Sequence, residues 1–188
     1  MGESDSDRVQ ATIRPATAAD AEVIAQVHVA SWRETYPGLV PPSILAGLSV
    51  AERAKMWRKI LRQPDAFQRS AVFVAERSGA VIGFAACGDQ RSSELETRGF
   101  AAEIFALYLL RSDQGLGLGR LLMAELARTL AGRVQQGASL WVLRENLAAR
   151  RFYERLGGEL VGEKEDRRED GVLVEVAYGW AALDRLLG

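Results

Sequence analysis

Three glycines alternate with leucines in Gln114-Gly115-Leu116-Gly117-Leu118-Gly119-Arg120, and the chain changes character across them. Before them runs Ala102-Glu103-Ile104-Phe105-Ala106-Leu107-Tyr108-Leu109-Leu110, short and nearly all apolar, as expected of a strand buried on both faces. After them Leu118, Leu121, Leu122, Leu126 and Leu130 recur at helical spacing, which predicts an amphipathic helix of three to four turns. A doubly buried strand that feeds a helix through a tight turn needs helices packed on a sheet, so the chain is expected to be α/β.

The other periodicities fill in this architecture. Ala11-Thr12-Ile13-Arg14-Pro15 predicts a short first strand closed by its proline. Thr17-Ala18-Ala19-Asp20 fits the capping-box pattern, so a helix is expected to start there and to end at Pro37-Gly38. Pro41 and Pro42 suit the first turn of a second helix, with a break near Gly47-Leu48-Ser49. Residues 71–76 and 80–86 flank Ser78-Gly79 as a hairpin, and 88–98 read as a polar loop. Residues 138–143 form another buried strand, Asn146 can cap a helix through Tyr153, and Gly157-Gly158 can end it. A final hairpin is expected at 160–163 and 172–178 around Asp170-Gly171, with a short turn at 183–187. The expected order is β-α-α-β-β-β-α-β-α-β-β, a single mixed β-sheet flanked by helices. One domain is expected over residues 11–188, with residues 1–10 as an acidic, disordered tail.

Composition removes several classes. A chain of 188 residues can bury roughly 70% of its unfolded surface in one core. Lys+Arg number 24 against 25 Asp+Glu, so there is no basic footprint and no nucleic-acid partner is expected. Cys87 is the only cysteine and His28 the only histidine, which excludes an intrachain disulfide and a Cys/His zinc cluster; no metal is expected. There is no apolar run of about 18 residues and no basic-then-apolar leader, so the expectation is a cytoplasmic protein with no membrane partner.

Glycine lets backbone amides approach a ligand where a Cβ would clash, and a helix N-terminus adds unpaired N–H groups and a positive dipole end. Together they make a cradle for phosphate or pyrophosphate. A tight strand-to-helix turn with no ligand would use the same residues. A P-loop needs Gly-Lys-Ser/Thr, but Gly119 is followed by Arg120 and Leu121. A dinucleotide fingerprint needs its third glycine one residue later than Gly119.

A third signature fits. Gln114-x-x-Gly117-x-Gly119, after a strand and opening a helix, resembles the acyl-CoA signature of the GNAT superfamily of N-acetyltransferases. The run from Asn146 through Phe152 and Tyr153 to Gly157 resembles the superfamily's second motif, with Asn and Tyr seven apart. Upstream, His28-Val29-Ala30-Ser31-Trp32-Arg33-Glu34-Thr35-Tyr36-Pro37-Gly38 is similar to the opening of one broad bacterial branch. The resemblance covers residues 11–180 and implies the GNAT fold.

The resemblance also implies roles. Leu107, Tyr108 and Leu109 would lie along the pantetheine arm of acetyl-CoA, which pairs like an added strand. Gln114, Gly115, Leu116, Gly117, Leu118, Gly119 and Arg120 would hold the pyrophosphate. Asn146 and Phe152 would contact the cofactor, and Arg150, Arg151 or Arg155 the adenosine phosphates. Tyr153 matches the family's general acid, which protonates the departing thiolate. Glu103, eleven residues before Gln114, has the spacing of the catalytic glutamate in the superfamily's histone acetyltransferases. A carboxylate on an otherwise apolar strand is expected to be desolvated into a useful base. Another branch carries its base five residues before the Asn, and Trp141 stands there. Trp32 and Tyr36 would wall the acceptor site, while a lone His28 is read first as a packed residue and Cys87 as inert. The implied acceptor is a small-molecule amine, with a protein N-terminus or lysine, or a non-catalytic acyl-CoA-binding module, as alternatives. A homodimer is among the assemblies the resemblance allows.

Overall fold

The structure, a computed structural model, describes residues 11–168 and 171–187. The tail expected at 1–10, and Asp170 of the expected last turn, lie outside these residues. The strands are β1 (Thr12–Pro15), β2 (Ala71–Arg77), β3 (Ala80–Asp89), β4 (Ala102–Leu109), β5 (Ala138–Leu143), β6 (Glu159–Arg168) and β7 (Gly171–Trp180). They form one sheet in the order β1-β2-β3-β4-β5-β7-β6, in which only β4 and β5 run parallel. The helices are α1 (Ala21–Thr35), α2 (Pro42–Ala46), α3 (Val50–Arg62), α4 (Ser93–Thr97), α5 (Leu118–Gly132) and α6 (Leu147–Arg155). This is the expected mixed sheet flanked by helices.

The local departures have local causes. The capping box at Thr17 closes a 3-10 turn over Ala18–Asp20, and α1 follows directly. Asp20 takes two bonds from Arg14 (2.9 and 2.8 Å), which also binds Glu76 at 2.9 Å, so one guanidinium ties β1, β2 and the start of α1. The second helix breaks where expected, since α2 stops at Gly47 and Ser49 caps α3 by accepting from the Glu52 amide. The expected loop at 88–98 instead extends β3 through Asp89, and Ser92 caps the one-turn α4.

Alternate residues of each central strand enter different cores, as a period of two requires. Val72, Val74, Phe84 and Ala86 pack with Ile24, Val27 and Trp57 of α1 and α3. Ala75, Ala85, Cys87 and Ile104 pack on the opposite face with Leu122, Leu126 and Leu130 of α5. Each of those leucines is fully buried, a contribution of about 1.5–3 kcal/mol apiece.

The parallel pair is a fork. β4 and β5 meet at two rungs only, Ala102 with Ala138 and Glu103 with Ser139. Beyond Glu103, β4 stays with β3 as far as Leu109 opposite Gly83, while β5 follows β7 to Leu143 opposite Glu175. A register shift on β3 between Ala86 and Cys87 leaves Phe105 as an extra residue on β4. Such a bulge bends its strand and increases the twist, and it falls where the two strands part. The closed end is held by Gln90. Its side-chain N–H2 donates to Phe100 O (3.1 Å), Ala102 O (3.1 Å) and Ser139 Oγ (2.7 Å), and its Oε1 accepts from the amides of Arg91 and Ser92.

Candidate active site

The fork opens into a cleft of about 800 Å³. β4 lines one wall from Glu103 to Leu109, and β5 and the start of α6 line the other with Trp141, Val142, Leu143 and Asn146. From Ile104 to Leu109 the edge of β4 that faces β5 has no partner strand, so its polar backbone groups border the cleft. Leu107, Tyr108 and Leu109 lie there.

At the far end of β4 the glycine turn enters α5. Gly115 has φ +77° and Gly117, the N-cap of α5, has φ +82°, and an added Cβ at either would meet open space. Glycine at these two positions therefore answers to left-handed backbone rather than to crowding. Gly119 differs: an added Cβ there would sit 3.1 Å from Phe152 Cζ, so this glycine lets α6 pack on α5. Among the described residues, the backbone N–H groups of Gly115, Leu116, Gly117, Leu118 and Gly119 reach no protein acceptor. The first bonds of the helix run from Arg120 and Leu121 to Gly117 O (3.0 and 3.2 Å). Successive orphan amides at the positive end of a helix suit a diphosphate. Gln114 shapes the turn by donating to Leu109 O at 3.1 Å, whereas Leu118 is buried in the core and Leu116 is exposed.

Three arginines of α6 were candidates for the adenosine phosphates. Arg150 is used internally, donating to Tyr178 Oη (3.1 Å) and Arg144 O (2.9 Å), and Arg151 is exposed away from the cleft lining. Arg155 lines the cleft, one turn along α6 from Phe152 and on the same face. Asn146 caps α6 by accepting from the Ala149 amide at 3.2 Å. Its own N–H2 then has no partner among the described residues, at the cleft wall.

Tyr153 lines the cleft and is 8% exposed. Burial pushes its phenol above the usual range, so it stays protonated at any physiological pH. Glu103, 2% exposed, also lines the cleft. It is not the unaccompanied carboxylate expected of an apolar strand. Arg91 donates to it from Nη2 (2.5 Å), Nε (3.0 Å) and its backbone N–H (3.2 Å), and lies over the Phe105 ring with 4.6 Å to the centroid. Sequence reasoning missed Arg91 because nothing local marks it: its partner lies twelve residues on, across the turn between two strands.

Trp32 of α1 and Tyr36, the residue that caps its C-terminus, line the cleft with ring centroids 4.7 Å apart. The Tyr36 phenol is raised by burial and by the neighbouring Tyr108 phenol. Ser31 was also missed; its hydroxyl is buried at the cleft without a hydrogen-bond partner among the described residues. Trp141 lines the other side beneath Lys164, whose Nζ lies 4.2 Å from the ring centroid and 3.0 Å from Glu175. His28 is a packed residue outside the lining. It stacks on Tyr108 at 5.1 Å, its Nδ1 accepts from Trp57 Nε1 at 3.1 Å, and burial lowers its pKa to about 3. Burial raises the Cys87 thiol to about 12. Among the described residues there is no group of three or more His, Cys, Asp or Glu that could hold a metal ion, and no helix long and apolar enough to cross a membrane.

A mixed sheet whose two parallel strands splay apart, with a helix of orphan amides at the mouth of the gap, is the architecture of the acyl-CoA N-acyltransferase fold. Residues 30–158 match the acetyltransferase (GNAT) family, and the chain belongs to it. The uncharacterized N-acetyltransferase YuaI of Bacillus subtilis is 35% identical over 176 residues, 93% of this chain and 95% of its own. The fold is that of the PaiA N-acetyltransferase of Thermoplasma acidophilum in complex with coenzyme A, with TM-score 0.68, 21% identity, and coverage of 88% of this chain and 98% of that one. It is also that of YncA, a putative acetyltransferase of Salmonella typhimurium with acetyl-CoA, with TM-score 0.68, 21% identity, and coverage of 93% and 95%. The chain is an acetyltransferase whose acyl donor is acetyl-CoA.

Proposed function

We propose that this protein moves the acetyl group of acetyl-CoA onto the primary amine of a small molecule, by direct attack while both substrates occupy the cleft. The observation that carries this reading is the arrangement along β4. The orphan amides of 115–119 stand at one end, and Glu103 stands at the other. They are separated by the six-residue unpaired edge from Ile104 to Leu109, about 20 Å of extended chain. That length suits an extended arm running between a diphosphate and a reacting thioester.

Acetyl-CoA supplies an activated carbonyl on a thiol leaving group. Gly115, Gly117 and Gly119 offer their amides, and Arg120 and Arg155 their charge, to its phosphates. The open edge of β4 and the free N–H2 of Asn146 hold the arm. The acceptor must reach the carbonyl as a neutral amine, and Glu103 takes its proton, directly or through one water. The amine nitrogen bonds to the carbonyl carbon, the carbon–sulfur bond breaks, and Tyr153 gives its phenolic proton to the thiolate. The amide and the free thiol are the products.

The first test is calorimetric titration with acetyl-CoA and with CoA, followed by thiol release with a panel of amines. Binding of both, and turnover with at least one amine, are expected. Absence of heat and of any thermal shift with either ligand overturns the reading.

A further inference from the structure

The acceptor end of the cleft holds information about which amine enters, on the footing of the activity just proposed. Three carboxylates line it, Glu103, Asp166 and Glu175, with three cations, Arg91, Lys164 and Arg168. Every carboxylate is already matched: Glu103 by Arg91 at 2.5 Å, Glu175 by Lys164 at 3.0 Å, Asp166 by Arg168 at 2.7 Å. A polyamine or a lysine-rich peptide is drawn to an excess of carboxylate. Here such a ligand would have to displace a protein cation from each one.

The cations, by contrast, keep donors in hand. Arg91 spends Nε and Nη2 on Glu103, which leaves Nη1 without a partner among the described residues. Lys164 gives one of its three N–H bonds to Glu175. Their side chains are 54% and 47% exposed, and each is braced on an aromatic ring, Phe105 for Arg91 and Trp141 for Lys164. Two fixed cations with spare donors, beside matched carboxylates, are a receptor for an anion carried on the same molecule as the amine.

We propose that the acceptor is a zwitterion of amino-acid type, whose carboxylate is held by Lys164 and Arg91 while its amino group stands beside Glu103. The amino group sheds its extra proton to solvent before it attacks and passes its second to Glu103 as the carbon–nitrogen bond forms; the carbon–sulfur bond breaks as given above, and Tyr153 regains from solvent the proton that it gives to the thiolate.

The experiment compares matched pairs at saturating acetyl-CoA, following CoA release. Each pair is an L-amino acid and the amine left by removing its carboxylate, such as L-phenylalanine with phenethylamine and L-leucine with isoamylamine. Spermidine and a lysine-containing peptide complete the panel. At least one amino acid is expected to exceed its partner amine about tenfold or more in kcat/KM. Lys164→Met, which keeps an aliphatic stem on Trp141, is expected to narrow that gap by raising KM for the amino acid while KM for acetyl-CoA holds. The proposal is overturned if the bare amine, spermidine or the peptide is the better acceptor, or if acetyl-CoA binds and no amino acid is acetylated. The wild-type comparison stands even if the variant fails to fold. Failure to bind acetyl-CoA at all would instead strike the underlying activity.

Discussion

At the scale of single residues, burial decides which groups can do chemistry. Tyr153 and His28 are both aromatic and both buried, but only Tyr153 lines the cleft. Tyr153→Phe keeps the ring and removes the proton. It is expected to lower kcat by roughly 10²–10³-fold, with acetyl-CoA affinity by calorimetry unchanged within about twofold. His28 has a different consequence. Its folded-state pKa is lowered to about 3 from 6.5. Below pH 6.5 the unfolded chain takes up a proton that the native imidazole refuses until about 3. The stability it protects is therefore complete above 6.5 and drains away as pH falls towards 3, by at most about 1.4 kcal/mol per pH unit. Urea denaturation between about pH 7 and 4 measures the slope, and His28→Gln is expected to flatten it. An unchanged slope would assign the acid loss to other groups.

At the scale of elements, what the sequence disclosed depended on how local the cause was. The strand, glycine turn and helix around 115–119 were legible because an apolar run, a glycine spacing and a leucine period all lie within thirty residues of each other. So was Asn146, which announces α6 by its capping side chain. The division of α2 from α3 was legible too, because Gly47 and the Ser49 cap fall at the expected break, whereas α4 rests on a single serine cap over five residues, too little periodicity to read. Strand β6 runs on to Arg168 because Lys164 and its neighbours pair across to β7, a register no local pattern encodes. The Arg91–Glu103 pair was illegible for the same reason. The fork itself depends on Gln90, whose side chain reaches both of the strands that it joins. Gln90→Leu removes these bonds and strands the buried Ser139 hydroxyl, so it is expected to cost about 2–3 kcal/mol. Acetyl-CoA affinity should fall with it, since the cleft wall is no longer set; thermal melts with and without the ligand measure both.

At the scale of the molecule, the two cores back the sheet on opposite faces while the fork interrupts it, and in the proposed binding mode the ligand completes what the strands leave open. Acetyl-CoA at a hundred times its Kd is expected to add about 2.7 kcal/mol, or roughly 5–10 °C in Tm for a chain of this length. With the phosphates of acetyl-CoA on amides and arginines at an exposed turn, as proposed, KM for acetyl-CoA should rise with ionic strength. An indifferent KM would argue that the diphosphate is held elsewhere. Cys87 gives the same experiments a clean readout. It is the only cysteine, it lies on β3 in the core under α5 with no exposure, and its thiol is pushed up to about 12. The native enzyme is thus silent to a chromogenic disulfide reagent, so all prompt colour in a turnover assay belongs to released CoA. Any slow colour that the enzyme develops without substrate counts openings of the whole sheet, one sulfur for each molecule that unfolds.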